Sequence, residues 1–291
     1  MRLNYNVLWI DDRHDSIEPL ENSIKEFLDE NGFVLNVDYH KDGSNLEKLI
    51  SKPELDLILL DQNLSKKSGE ELSKTIREKE KYIEIILYTQ DPNTDLKEKS
   101  LGLDGIYRTH RASVEVVMKK VINRAIKKTQ DLNVMRGLVI AETIDIENQV
   151  EEIMSKCFGE KGKFFREKVL ERNVYDFAKK LHFLNSMLGD LIKQLTIKYQ
   201  KNSQSKNETN KTKLDNLNQL FKEAKKIEKE VLDNRNILAH SKVEYDKVGK
   251  ACLKRRNKRT GDINFDESWC KRMRKTLIKH SQNLENLQKY V

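Results

Sequence analysis

Short apolar runs alternate with amphipathic stretches from the N-terminus to about residue 125. The apolar runs have the length of buried strands, and the stretches between them have helical spacing. The predicted strands are 6–10, about 33–39, 56–60, 84–88 and 105–107. The predicted helices are 16–30, 44–51, 68–80, 93–101 and a last one that starts at Ser113. This alternation predicts a parallel sheet with helices on both faces, which binds ligands at the carboxyl ends of its strands.

The second half of the chain has a helical pattern and little strand character. The helix from Ser113 is expected to bend around Asp131–Gly137, and further helices are predicted at 138–157, 173–200 and 213–238. Residues 201–212 are uniformly polar, which predicts a loop. Weak strand character over 249–265 predicts a hairpin with a basic tip, and Asp266 is expected to cap a final helix. The second half is therefore predicted to be a helical bundle with one basic hairpin.

Length and composition favour a two-domain protein of the cytoplasm. The chain has 291 residues, of which 37% are hydrophobic and 35% charged, and this length suffices for two cores of ordinary size. No apolar run approaches the ~18 residues that a membrane span needs. The acidic pair Asp11 and Asp12 interrupts the start of the chain before a signal peptide could form. We therefore expect no membrane partner.

Charge is distributed unevenly between the two halves. Residues 1–130 contain 21 Lys and Arg against 24 Asp and Glu, whereas the whole chain carries a net charge of +8. The excess of positive charge therefore belongs to the second half. A basic half favours an anionic partner such as a nucleic acid.

Three carboxylates are predicted to meet at one edge of the sheet. Asp11 and Asp12 follow the first strand and Asp61 follows the third, while Thr89 ends the fourth. Carboxylates in close proximity repel one another, and a divalent cation with oxygen ligands, such as Mg²⁺, relieves that repulsion. The sequence therefore predicts a Mg²⁺ site at this edge.

This ordered set resembles the receiver domain of response regulators over roughly residues 3–125. The motifs that carry the resemblance are Val-Leu-Trp-Ile-Asp-Asp, Leu-Ile-Leu-Leu-Asp-Gln-Asn-Leu, Ile-Ile-Leu-Tyr-Thr and Leu-Gly-Leu-Asp-Gly-Ile-Tyr. The resemblance implies a flavodoxin-like (βα)5 fold and a phosphoryl-accepting Asp61. It also implies that Asp11, Asp12, Asp61 and the Asn63 carbonyl hold Mg²⁺ and that Thr89 is the switch hydroxyl. A histidine kinase or another phosphodonor is the implied partner.

The sequence departs from the receiver pattern at two places. Ser65 stands where proline is usual, and no Lys-Pro follows the fifth strand. The lysine of the family contacts the phosphoryl oxygens, and here Arg108 or Arg111 is the candidate replacement. A planar guanidinium is not equivalent to an ammonium group, so the alternative is a degenerate receiver that only binds partners.

The segment Asp-Asn-Arg-Asn-Ile-Leu-Ala-His-Ser, residues 233–241, combines Arg235, Asn236 and His240 near the end of a predicted helix. On one continuous helix, Arg235 and His240 would lie about 140° apart. Three arrangements bring them to one site: the helix ends between them, His240 lies on the following loop, or two copies of the chain contribute them across a two-fold axis. Two arginines and two histidines around one cleft would suit a phosphodiester. Otherwise Arg235 simply caps the helix and His240 is a surface residue.

This segment resembles the Arg-x4-6-His signature of the HEPN superfamily of helical bundles. Members commonly are metal-independent ribonucleases that act as dimers. The resemblance implies that His240 is a general acid or base, that Arg235 stabilises the charged phosphorane and that Asn236 positions Arg235 or the phosphate. No cofactor is implied for this site, and the products would be a 2′,3′-cyclic phosphate and a 5′-hydroxyl.

The combined prediction is an α/β flavodoxin-like receiver domain over 1–127 followed by an all-α HEPN-like bundle with a basic hairpin over 128–291. The predicted function is a signal-regulated endoribonuclease that acts as a homodimer, in a role such as stress response or defence. The hairpin side chains predicted to bind RNA phosphates are Lys254, Arg255, Arg256, Lys258 and Arg259. The alternative is a non-enzymatic signalling protein that dimerises or binds a partner. A phosphotransfer module with a phosphorylated His240 is disfavoured, because that chemistry needs an exposed histidine in the middle of a helix.

Overall fold

The computed structural model describes residues 2–13, 17–52, 54–79, 81–94, 96, 104–172, 175–201, 208–245, 251–254 and 263–291. The chain divides into two compact units, residues 2–131 and residues 132–291. Among the described residues, no helix has both the length and the apolar character needed to cross a bilayer.

The first unit is built on a five-stranded parallel sheet. The strands are β1 (Asn4–Ile10), β2 (Val34–His40), β3 (Leu57–Asp61), β4 (Glu84–Thr89) and β5 (Ile106–His110). They lie in the order β2-β1-β3-β4-β5, and every neighbouring pair is parallel. In this order the direction of winding reverses between β1 and β3. A crevice therefore opens at the carboxyl ends of these two strands, where ligands bind in doubly wound sheets.

Helices cover the sheet: α1 (Glu18–Asn31), α2 (Leu46–Ile50), α3 (Gly69–Glu78) and α4 (Val114–Thr129). The central strands contain runs of apolar residues because both of their faces are covered; β3, for example, is buried at all five positions, of which the first four are apolar. The start of α3 closely approaches the end of β3, since a Cβ on Gly69 would lie 2.5 Å from the Asp61 carbonyl oxygen. Glycine at this position lets the helix pack directly under Asp61.

The predicted parallel α/β fold of the first unit is confirmed. All five predicted strands are present, with ends shifted by a few residues at most. The helix predicted at 93–101 lies largely outside the described residues. The helix from Ser113 does not continue through a bend at Asp131–Gly137. Instead α4 ends at Thr129, a new helix begins at Leu132, and Gly137 lies within that helix.

The second unit is mainly helical. Its helices are α5 (Leu132–Cys157), α6 (Gly162–Phe165), α7 (Phe177–Lys201), α8 (Glu208–Ala224), α9 (Asp233–His240) and α10 (Glu267–Leu287), with π-helical turns at Arg166–Leu170 and Glu228–Leu232. Helix α10 packs against α5 and α8, and α7 packs against the same two helices. The loop predicted at 201–212 is partly wrong, because α8 begins at Glu208. Neither π turn was predicted, since the 3.6-residue pattern does not register an inserted residue.

A small antiparallel sheet follows α9. Its strands are β6 (Lys242–Tyr245), β7 (Ala251–Lys254) and β8 (Ile263–Asn264), in the order β6-β7-β8. The β7–β8 pair corresponds to the predicted hairpin, but β6 was not predicted. Of the predicted RNA-binding residues, Lys254 ends β7, and Arg255, Arg256, Lys258 and Arg259 lie outside the described residues. The predicted cap is present, because the Asp266 carboxylate accepts a hydrogen bond from the Trp269 N–H at 2.7 Å.

A buried histidine joins α10 to the π turn that precedes α9. His280 is fully buried, and its Nε2 lies 2.8 Å from the Glu230 carboxylate. Among the described residues, the other ring nitrogen has no hydrogen-bond partner. Burial lowers the pKa of His280, against the opposing effect of Glu230. A protonated imidazole would therefore have to bury an unsatisfied N–H.

We expect the second unit to lose stability as the pH falls from 7.5 to 5. A histidine with a lowered folded-state pKa favours the folded state above its ordinary pKa of 6.5, and this contribution is lost on acidification because the unfolded chain binds the proton first. The thermal midpoint should therefore fall less steeply with pH in His280→Gln than in the wild type. His182→Gln, at a side chain that is 74% exposed, is the matched control. Equal slopes in wild type and His280→Gln would contradict the assignment.

Candidate functional site

The predicted carboxylates do meet at the carboxyl ends of β1 and β3. Asp11 and Asp61 are fully buried and Asp12 is exposed, and one oxygen from each lies within 4.8 Å of the others. The strands bring them together because Asp11 directly follows β1, whose neighbour β3 ends at Asp61. The cluster therefore lies at the crevice that the strand order creates.

Two arginines partly balance this negative charge. The Arg111 Nη1 lies 3.0 Å from an Asp11 oxygen and 3.7 Å from an Asp61 oxygen. Arg13 reaches Asp12 at 3.6 Å and Asp61 at 3.8 Å. Of the two arginines predicted as replacements for lysine, only Arg111 reaches the cluster in the described contacts. Arg108 instead donates to the Ile106 carbonyl oxygen at 3.2 Å.

Asn63 and Thr89 complete the rim of the cluster. The Asn63 N–H donates to Asp61 at 3.1 Å, and the Asn63 side-chain amide donates to the Thr89 hydroxyl oxygen at 3.2 Å. The same hydroxyl oxygen accepts a second hydrogen bond from the Asp91 N–H at 3.1 Å. Thr89 is fully buried. The hydroxyl is thus held at the end of β4 by two hydrogen bonds.

The residues present fit a divalent cation. One buried Asp61 oxygen, Oδ2, has no hydrogen-bond partner among the described residues. Burial, followed by the charge of Asp11, raises the pKa of Asp61, and both arginines oppose this shift. Carboxylate oxygens are ligands that Mg²⁺ binds in proteins, and Asp61 lies beside two other carboxylates. The cluster is therefore compatible with the predicted Mg²⁺ site.

The family model of the response regulator receiver domain matches residues 7–107. The N-terminal unit is a receiver domain. It also resembles solved receiver structures. The signal receiver domain of an HD domain-containing protein from Pseudomonas fluorescens is 18% identical over 43% of this chain and 96% of that one, with a TM-score of 0.36. The receiver domain of a Francisella response regulator is 21% identical over 43% of this chain and 99% of that one, with a TM-score of 0.36. A comparison with curated proteins gave no match.

Replacing the unsatisfied carboxylate of the receiver domain is expected to stabilise the metal-free protein. The pKa of Asp61 is raised in the folded state, so the ionised form destabilises the fold at neutral pH, and this penalty disappears as the pH falls below the ordinary pKa of 3.8. In EDTA at pH 7, Asp61→Asn should therefore have a higher thermal midpoint than the wild type. The difference should shrink towards pH 4, and a variant that is less stable at both pH values would refute this account.

Two residues beneath the cluster were not predicted as part of the site. Trp9 and Tyr88 are each 1% exposed, and both belong to apolar strand segments that predict only core packing. The Trp9 indole donates to the Tyr88 oxygen at 2.8 Å, and the Tyr88 hydroxyl donates to Asp11 at 2.5 Å. Burial and the charge of Asp11 raise the pKa of Tyr88, so the phenol keeps its proton.

The predicted catalytic residues of the second unit lie on one short helix. Helix α9 runs without interruption from Asp233 to His240, so the helix does not end between Arg235 and His240, nor does His240 lie on a loop. Arg235 is half-buried and donates to the Asn236 side-chain oxygen at 2.9 Å. His240 is exposed in the last position of the helix. Two of the three predicted arrangements are therefore wrong, and the pairing of two copies stays a prediction.

An arginine from another helix fixes the end of α9. The Arg136 Nη2 on α5 donates to the Ser241 carbonyl oxygen at 2.9 Å. A cation at a helix C-terminus is favourable because the last carbonyl groups carry partial negative charge. This bond anchors the backbone immediately after His240.

Proposed function

We propose that this chain is a response regulator whose receiver domain accepts a phosphoryl group on Asp61 and whose helical unit cleaves RNA. The observation that carries the first part is the unsatisfied Asp61 oxygen, which is buried and lies 3.7 Å from the Arg111 guanidinium. A nucleophile needs a free lone pair, and the transferred group needs positive charge beside it. Asp61 and Arg111 together meet both needs.

The phosphoryl step forms one bond and breaks another. An Asp61 oxygen attacks phosphorus, and the bond between phosphorus and the donor breaks, where the donor is a histidine kinase or a small acyl phosphate. Asp11, Asp12, Asp61 and the Asn63 carbonyl would hold Mg²⁺, which when bound neutralises charge on the phosphoryl oxygens. Arg111 takes the part of the family's lysine. Thr89 is the switch hydroxyl: its oxygen accepts two hydrogen bonds, and its proton is available for a phosphoryl oxygen.

The helical unit is the proposed output domain, and its RNase site is Arg235, Asn236 and His240. Two observations support this proposal. The imidazole of His240 is exposed at the end of α9, and the half-buried guanidinium of Arg235 is held by the side-chain amide of Asn236. Because both side chains lie on one continuous helix, about 140° apart, a homodimer supplies the complete site. The predicted hairpin cations, Lys254, Arg255, Arg256, Lys258 and Arg259, would bind RNA phosphates.

The RNA step needs no metal ion. One His240 imidazole takes the proton of a 2′-hydroxyl, whose oxygen attacks the adjacent phosphorus. The bond between phosphorus and the 5′ oxygen then breaks, and the His240 of the other copy protonates the leaving oxygen. Arg235 neutralises the charge on the phosphorane, and Asn236 keeps its guanidinium in place. The products are a 2′,3′-cyclic phosphate and a 5′-hydroxyl.

The experiment that tests the RNase proposal is incubation of the purified full chain with total RNA in EDTA. We expect fragments that end in a 2′,3′-cyclic phosphate, detected by their resistance to enzymatic 3′-end ligation until the cyclic phosphate is opened and removed. Pretreatment with acetyl phosphate and Mg²⁺ provides the signalled state. RNA that stays intact at every protein concentration, in both states, would instead support the non-enzymatic signalling protein.

A further inference from the structure

The neighbours of Tyr88 fix the directions of the hydrogen bonds that its hydroxyl group makes. The indole N–H of Trp9 can only donate, so the Tyr88 oxygen accepts at 2.8 Å. The Tyr88 proton is then directed at the Asp11 Oδ2, at 2.5 Å. Tyr88 and Trp9 are both almost fully buried, so water does not compete with these two hydrogen bonds. The phenol ring is thereby held in one position under the acidic cluster.

Arg111 contacts two of these three residues, Tyr88 and Asp11. Its Cζ lies 5.7 Å from the centre of the Tyr88 ring, and its Nη1 lies 3.0 Å from the same Asp11 oxygen that accepts the Tyr88 proton. A guanidinium within about 6 Å of an aromatic ring is attracted to the ring's π electrons. The guanidinium therefore contacts both the ring and the Asp11 carboxylate, and its Nη1 lies 3.7 Å from Asp61.

We propose that Tyr88 is the positioning residue that lets Arg111 do the work of the lysine found in related receiver domains. A lysine ammonium is a compact charge that needs no planar support, whereas a guanidinium is a plane whose orientation decides which oxygens it meets. The Tyr88 ring sets the plane of the Arg111 guanidinium. The Tyr88 hydroxyl fixes the Asp11 carboxylate that the guanidinium contacts. An oxyanion attached to Asp61 would then meet Arg111 in a fixed geometry. This inference rests on the proposed phosphoryl acceptance by Asp61.

The test is calorimetric titration of the full chain with beryllofluoride in the presence of Mg²⁺, a probe that binds an aspartate carboxylate as a phosphoryl mimic. Arg111→Lys and Tyr88→Leu should each weaken binding about tenfold, because each removes the contact between the guanidinium and the Tyr88 ring. The double variant should bind no more weakly than either single variant, since both substitutions remove the same contact.

A matched control exists in the same unit. Arg124 lies over the ring of Tyr107 at the same distance, 5.7 Å, so Tyr107→Leu removes an equivalent cation–aromatic contact. This variant should bind beryllofluoride like the wild type. An equal loss in Tyr107→Leu would overturn the inference, because the effect would then reflect a general weakening of the domain.

Tyr88→Phe supplies a second readout that does not depend on whether the fold tolerates leucine at position 88. It keeps the ring under Arg111 and removes the acceptor of the Trp9 indole, so the Trp9 N–H resonance should shift while binding weakens by only about threefold. Additive losses in Tyr88→Leu and Arg111→Lys would overturn the inference and leave phosphoryl acceptance standing. A wild-type chain that fails to bind beryllofluoride would instead overturn the proposed acceptance itself, and the inference with it.

Discussion

An alanine in place of His240 is expected to lower the rate of RNA cleavage by about 10²–10⁴-fold, the range that a positioned general acid or base contributes. The imidazole is exposed at the end of α9, so its removal leaves no cavity and the fold should be unaffected. The measurement is the rate of appearance of cyclic phosphate ends in EDTA. Circular dichroism of the variant verifies that the helices are retained.

The matched control for His240→Ala is His182→Ala. His182 is also a surface histidine of the helical unit, with a side chain that is 74% exposed, and it lies on α7. Its replacement should leave the cleavage rate unchanged. Equal losses in the two variants, or full activity in His240→Ala, would exclude His240 as the proton-transfer group.

Mixing wild-type and His240→Ala subunits tests whether two copies share one site. With random exchange at equal amounts, about one quarter of the dimers contain two intact copies. If each cleft needs both imidazoles, the mixture should have about one quarter of the wild-type activity at the same total concentration. An activity near one half would mean that each subunit cleaves independently.

The central strands β3 and β4 of the receiver domain could be predicted because nearly all of their residues are buried. Residues 57–60 are four apolar residues in succession that lie between covered faces, and such a run has few alternatives to a central parallel strand. The positions of Asp11, Asp12 and Asp61 then followed from the strand ends alone. The sequence pattern therefore determines the backbone of the acidic cluster.

The side chains that support this cluster could not be predicted in the same way. Tyr88 lies within an apolar run of the sequence. The sequence pattern is the same whether its phenol only packs in the core or also donates a hydrogen bond to Asp11. The role of Arg111 depends on a short 3-10 turn, Arg111–Ser113, directly after β5. From the start of this turn the Arg111 guanidinium reaches Asp11 and Asp61.

The helical unit was harder to predict because its helices are interrupted by local insertions. The π turn at Glu228–Leu232 adds a residue to the helical turn immediately before α9, and this rotates everything that follows by about 100° relative to a regular helix. The face on which Arg235 lies therefore could not be read from the apolar pattern of 213–238. The sequence shows where the Arg-x4-His segment is, but it does not show which face of the helix carries Arg235.

Asp61→Asn is expected to abolish phosphorylation of the chain completely. After incubation with acetyl phosphate and Mg²⁺, intact-mass spectrometry should show one added phosphoryl group on the wild type and none on the variant. The amide that replaces the carboxylate is not nucleophilic, but its oxygen can still accept the Asn63 N–H hydrogen bond, so the loop keeps its shape. A label retained in Asp61→Asn would exclude Asp61 as the acceptor.

Asp56→Asn is the control from the other end of the same strand. Asp56 directly precedes β3, whereas Asp61 is its last residue, and the Asp56 carboxylate accepts the Asn6 N–H at 2.8 Å. The Asp56→Asn variant should therefore gain a phosphoryl group like the wild type. The same samples then test control of the proposed RNase site, because a receiver domain that alters the pairing of two helical units is expected to change the cleavage rate when Asp61 is phosphorylated. Acetyl phosphate should therefore change cleavage by the wild type and by Asp56→Asn, but not by Asp61→Asn. An equal change in Asp61→Asn would place the effect of the phosphodonor outside the receiver domain.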